Sequence, residues 1–257
     1  MRGNEIRTLA LAGVLSAAVL IVGFSLLGLL GLSAATALIF AIGWIVYLSS
    51  ERTVLTALRA RPLSEVENPE LYALVRELCR DARLSVPRLY VSPAGQPNIL
   101  TVGCSSRSAA VCCTEGLLRV LSSAELRAVL AHELAHVSRR DTLVSSWSAG
   151  LASLVAFVPL PLTALLVQFT APSGREYEAD FDGAMLAGDP MALASALRTI
   201  DSSAADSPLP ARGQLTAAGH LMIAPPFELR GPGRLFRTHP PTTERVRRLE
   251  HLAGYPR

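Results

Sequence analysis

Between Arg7 and Glu51 the chain carries no charged side chain. An uncharged run of about 40 residues extends roughly 60 Å as an α-helix. Two crossings of a hydrocarbon core about 30 Å thick need that length. A break is available at Gly31-Leu32-Ser33, so the run reads as a hairpin with arms from Leu9 to about Leu30 and from Ala34 to about Leu48. A cleaved signal peptide has one short apolar segment, whereas here a second follows at once. Arg2 and Arg7 precede the hairpin, Arg52, Arg59 and Arg61 follow it, and the turn has no cation. Positive charge marks the cytoplasmic side. Both ends are therefore expected in the cytoplasm, with residues 1–51 as the anchor and 52–257 as the working domain.

Half the residues are apolar and mean hydropathy is positive, a balance that fits a membrane protein better than a soluble enzyme. Net charge is only +3 and no long Lys/Arg run occurs, so nucleic acid is not an expected partner. The four cysteines, Cys79, Cys104, Cys112 and Cys113, lack CxxC spacing. They read as reduced, mostly buried thiols, in keeping with the cytoplasmic side.

The chemistry sits in Ser122-Ser-Ala-Glu-Leu-Arg-Ala-Val-Leu-Ala-His-Glu-Leu-Ala-His136. Ser122 and Glu125 have the spacing of a capping box, and Leu126, Val129 and Leu130 form an apolar stripe behind it. On that helix His132 and His136 lie one turn apart on one face. Two imidazoles so spaced can grip one zinc ion, with Glu133 beside the water that attacks. Catalytic zinc takes three protein ligands and keeps one position open. The best source of the third is Ser173-Gly-Arg-Glu-Tyr-Glu-Ala-Asp180, where Ser173 is a plausible cap. Glu176 and Asp180 there share a helix face, Glu178 points elsewhere, and Ala179 leaves room for a close helix. The bland alternative is a solvated acidic face. On the zinc reading Glu176 is the third ligand and Asp180 orients a ligand histidine.

The remaining chain reads as α+β. A helix opens at Asn68-Pro69-Glu70 and turns Leu71, Leu74, Val75 and Leu78 inward. Residues 87–91, 98–103 and 109–114 read as strands of a small antiparallel sheet. A peptide substrate can add to a sheet edge by main-chain hydrogen bonds, and Asn98, Ile99 and Leu100 are the candidate edge. Leu143 to Phe169 is again uncharged, broken at Pro159-Leu-Pro161. Residues on either side of it are to meet at one ion, so a single crossing is excluded. It is too short for two. A hairpin dipping partly into the bilayer, or a helix pair packed on the domain, remains. Residues 204–233, rich in Ala, Pro and Gly, read as a long loop near the site. A last helix follows Pro240-Pro241, with Val246, Leu249 and Leu252 inward.

Taken in order, these motifs resemble the HtpX family of membrane zinc metalloproteases, relatives of the CAAX prenyl proteases. The resemblance rests on the hairpin and on Asn98-Ile-Leu-Thr-Val-Gly103, where the family has Asn-Ala-Phe-Ala-x-Gly. It continues with His132-Glu-Leu-Ala-His136, Asp141, Arg175-Glu-Tyr-Glu-Ala-Asp180 and Leu235-Phe-Arg-Thr-His-Pro-Pro241 followed by Glu244-Arg245. Arg140 stands where the family often has Gly, and Leu143–Phe169 is shorter than the family's two helices at that place. The resemblance implies a mainly helical zincin-like domain, one Zn2+ per chain on His132, His136 and Glu176, and Glu133 as general base. It points to His239 as a donor to the oxyanion, with Arg245 holding it and Asp141 in support. The expected activity is endopeptidase cleavage of polypeptides, membrane proteins above all, in quality control. A non-catalytic membrane sensor or adaptor that keeps the fold is the competing reading, and a zinc enzyme acting on a non-peptide substrate is a third.

Overall fold

The computed structural model describes residues 3–103, 107–139, 141, 174–206, 219–224 and 239–254. The proposed hairpin over 143–169 and the cap at Ser173 lie outside them, as do Cys104, Arg140 and most of the 204–233 loop. Helix α1 spans Gly3–Ala57, and its helical geometry breaks at Gly28, with φ 59° and ψ −136°. The break is thus at Gly28 rather than at Gly31-Leu-Ser33. The cause is local. A side chain on Gly31 would place its Cβ 1.9 Å from the Gly23 carbonyl oxygen, so the arms touch backbone to backbone there. The reversal must lie between those two glycines, at a residue that tolerates positive φ. Within Ser16–Ile45, a stretch long and apolar enough to cross a membrane, Leu26, Leu29, Leu30 and Phe40 stand exposed. Water would penalise such a surface and lipid would not.

The last turns of α1 leave this regime. Val54, Leu55 and Leu58 are buried beneath a four-stranded sheet of β1 (Arg61–Pro62), β2 (Arg88–Ser92), β3 (Ile99–Val102) and β4 (Ala110–Thr114). The strand order is β1-β2-β4-β3. The expected antiparallel sheet is in fact mixed, because β4 inserts between β2 and β3 and runs parallel to β2. The β3–β4 hairpin closes near Gly103, whose φ of 129° and contact with Ser108 exclude a side chain. Residues on β3 alternate between two cores. Leu100 and Val102 join the α1 side, and Ile99 joins the main helical core.

That core is built by α2 (Pro69–Asp81), α3 (Glu115–Val120), α4 (Ser123–Ser138), α5 (Gly174–Ala187), α6 (Pro190–Asp206) and α7 (Thr242–Leu252). Asn68 caps α2 by accepting from the Leu71 N–H at 3.0 Å. Ser122 caps α4 with the expected capping box: its N–H donates to Glu125 Oε2 at 2.9 Å, and its hydroxyl accepts from the Glu125 N–H. Cys79, Cys112 and Cys113 are free and buried. Burial pushes the Cys79 thiol up to about 11 and the Cys112 thiol to about 12, the direction expected of buried structural thiols.

Candidate metal centre

Helix α4 is buried on nearly every side from Ala128 to Ala135, which puts His132 and Glu133 inside the protein. Helix α5 crosses it at a residue that the sequence reading passed over. A Cβ on Gly183 would lie 2.6 Å from His132 Cα and 2.7 Å from its backbone nitrogen. Only glycine permits that approach. Ala179 and Ala184, both fully buried, complete the small-residue face. The signal was available as small residues at helical spacing after Glu176.

The crossing brings Glu176 onto the two histidines. Its Oε2 is 3.8 Å from His132 Nε2, and its Oε1 is 3.5 Å from His136 Nε2. One ligand atom from each of the three side chains falls within a 4.8 Å group. Ligand atoms about 2.0–2.1 Å from a tetrahedral ion sit about 3.4 Å from one another, so the spacing suits zinc. His132 Nε2 and Glu176 Oε2 are buried without an aligned hydrogen bond. Buried polar atoms are rarely left so. A cation among them is the simplest satisfaction, and the donor set of two imidazoles and a carboxylate is one that zinc favours.

Around this group each ligand has a brace. Asp180 Oδ1 approaches His132 Nδ1 to 3.0 Å, close enough to pair with it though not aligned as a hydrogen bond. It thereby directs Nε2 toward Glu176. Asp180 is gripped in turn by a two-pronged hydrogen bond from Arg245, with Nε to Oδ2 at 2.8 Å and Nη2 to Oδ1 at 2.7 Å. Arg245 Nη1 also donates to the Ile223 carbonyl at 2.9 Å and lies 3.4 Å from Glu176 Oε2. The expected partner of Arg245 was His239. Its guanidinium instead serves Asp180, a carboxylate that would otherwise be buried without a counter-charge. On the other side Asp141 Oδ2 is 3.4 Å from His136 Nδ1, and Arg139 and Arg175 approach Asp141 to 3.5 and 3.7 Å. These two arginines are supports that the sequence did not announce. Glu178 is half-exposed and pairs with Arg139, away from the ligand atoms.

The electrostatics follow. Burial opposes ionisation of Glu176, yet His239, Arg245 and His136 hold its carboxyl well below the ordinary range. Burial also opposes a charge on His136, but Asp141, Glu176 and Glu133 raise its pKa. The carboxylates that would keep a proton on His136 would equally hold a metal cation. His239 is nearly buried, with Nδ1 3.4 Å from Glu176 Oε2.

Two further placements bear on the substrate. Thr101 on β3 donates from its hydroxyl to Glu133 Oε2 at 2.6 Å. The edge expected to be open is covered. Ile223 N–H donates to the Ile99 carbonyl at 3.0 Å, Met222 pairs with Leu100, and the Asn98 amide donates to the Ala224 carbonyl at 3.1 Å. An edge strand exposes a row of unpaired backbone groups, and a segment of the chain read as loop satisfies them here. Asn98, Ile99 and Leu100 are buried as a result.

The model of peptidase family M48 matches residues 65–171 and 149–253. Relatives named Protease HtpX homolog are 44% identical in Kineococcus radiotolerans, over 82% of each chain, and 41% identical in Pseudarthrobacter chlorophenolicus, over 98% of each. A third, from Ralstonia nicotianae, is 37% identical over 97% of each. The chain belongs to peptidase family M48. It is an HtpX-like metalloprotease of that family, with an apolar N-terminal helix and a mainly helical domain around a small mixed sheet. A His/His/Glu group able to hold the family's metal lies where α4 and α5 cross.

Proposed function

We propose that the protein is a zinc-dependent endopeptidase anchored in the cell membrane, with His132, His136 and Glu176 holding one zinc ion. The observation that carries this reading is the spacing of the three side chains, with Glu176 oxygens 3.5 and 3.8 Å from the Nε2 atoms of His136 and His132 in a buried group. Zinc, when bound, supplies Lewis-acid chemistry: it acidifies water toward a pKa of about 7 and polarises the scissile carbonyl.

Glu133 takes the proton of the attacking water and delivers it to the leaving amine nitrogen. His239, beside Glu176, donates an N–H toward the oxygen on which negative charge develops. Asp180 and Asp141 keep the ligand rings turned inward, and Arg245 keeps Asp180 ionised and in register. An extended peptide pairs with β3 along Asn98, Ile99 and Leu100, once residues 222–224 have yielded that edge. The arginines flanking α1 favour cytoplasmic placement of both ends and of the site, in a multi-pass arrangement. An anchored site beside the bilayer suits membrane proteins as substrates, misfolded ones in particular, and so a role in quality control.

The test uses the full chain in detergent or liposomes, with casein and a destabilised membrane protein as substrates. Wild type cleaves both, a zinc chelator stops it, and added zinc restores it. Glu133→Gln keeps its zinc and loses turnover. Full activity in Glu133→Gln, or activity indifferent to chelation, overturns the reading.

A further inference from the structure

The conspicuous polar residue on β3 is Thr101, at 3% exposure. Strand alternation turns it to the same side as Ile99, toward α4, while Leu100 and Val102 face the end of α1. Its hydroxyl meets Glu133, itself 2% exposed, at 2.6 Å, the length of a hydrogen bond to a charged acceptor. An ionised carboxylate only accepts, so the hydroxyl donates and Oε2 is the oxygen engaged. Oε1 is then the oxygen without this donor.

We infer that Thr101 is a positioning residue for the general base, fixing through its hydroxyl which oxygen of Glu133 receives the proton. The inference rests on the role given to Glu133 above. A glutamate side chain has three rotatable bonds, and burial alone does not choose among its rotamers. One anchored oxygen does, because it ties the carboxylate to a strand paired along its length with β4. The backbone of β3 is held through its pairing with β4, which does not involve the Thr101 hydroxyl, so removing the hydroxyl should act on rate rather than on the sheet.

The experiment compares Thr101→Val, which keeps the shape and removes the donor, with Thr101→Ser, which keeps the donor, in the full chain. Misplacing a reacting group costs up to about 100-fold. Thr101→Val should thus lower kcat about 10- to 100-fold with KM within about twofold. Zinc content should stay at one per chain and the melting temperature close to wild type. Thr101→Ser should recover most of kcat. A readout free of turnover is the affinity of a peptide hydroxamate, which must hand a proton to the same carboxylate. It should weaken about tenfold in Thr101→Val and not weaken further when that change is added to Glu133→Gln. Wild-type kcat and hydroxamate affinity in Thr101→Val overturn the inference, as does Thr101→Ser being as impaired as Thr101→Val, or loss of zinc from either. A fully active Glu133→Gln removes the base itself, and so separates failure of the functional reading from failure of the role of Thr101.

Discussion

Helix α4 carries His132 and His136 one turn apart, and its own backbone sets their separation. Helix α5 carries Glu176, and nothing local to α5 brings that carboxylate to the histidines. Its position depends on the bare backbone at Gly183 against His132 and on the clamp of Arg245 on Asp180. The two halves of one site therefore differ in what protects them. The α4 half is protected by helix propensity and a cap. The α5 half is protected by tertiary packing and a buried charge pair. Damage to the second half should be the more severe, although it contributes only one ligand.

The largest loss should come from Arg245→Ala. It leaves Asp180 buried with no counter-charge, which costs about 3–5 kcal/mol. Chemical denaturation in detergent should show that cost together with loss of zinc, and a change below about 1 kcal/mol would mean that the pair is not buried as described. Next is Gly183→Ala, whose methyl must push α5 away from His132. Overpacking of this kind costs about 1–3 kcal/mol, and zinc should fall below one per chain. Unchanged zinc would place the helix crossing elsewhere. Asp180→Asn keeps the shape but weakens the brace on His132, and zinc affinity should drop about 10- to 100-fold in a chelator competition. The smallest effect belongs to the other half. Ser122→Ala removes one capping bond of α4, costs about 1 kcal/mol and should leave zinc in place. Loss of zinc from Ser122→Ala would show that α4 is no more self-sufficient than α5.

The same contrast explains what the sequence could tell. The α4 half was readable because capping boxes and residues four apart on a helix are local facts. The uncharged run was readable as helix, though its break was expected at Gly31-Leu-Ser33. The close approach of Gly23 to Gly31 moves the reversal to Gly28, and that approach is a tertiary contact. Glu176 could be separated from Glu178 by helix face, but its ligand role needed the resemblance. Strand order was not readable, because β4 pairs with both β2 and β3 and no local pattern encodes which neighbour a strand takes. Residues 222–224 looked like loop, being poor in periodicity, yet they satisfy the edge of β3. The bond from Thr101 to Glu133 joins residues far apart in sequence and leaves no periodic trace.

Zinc content per chain, measured on the purified wild type, Glu133→Gln and Glu176→Ala, tests the central claim most directly. The expected result is one zinc in wild type and in Glu133→Gln, with turnover only in wild type, and well under one zinc in Glu176→Ala. A full equivalent of zinc in Glu176→Ala would contradict the account, because the ion would then be held without the residue that α5 is packed and clamped to deliver.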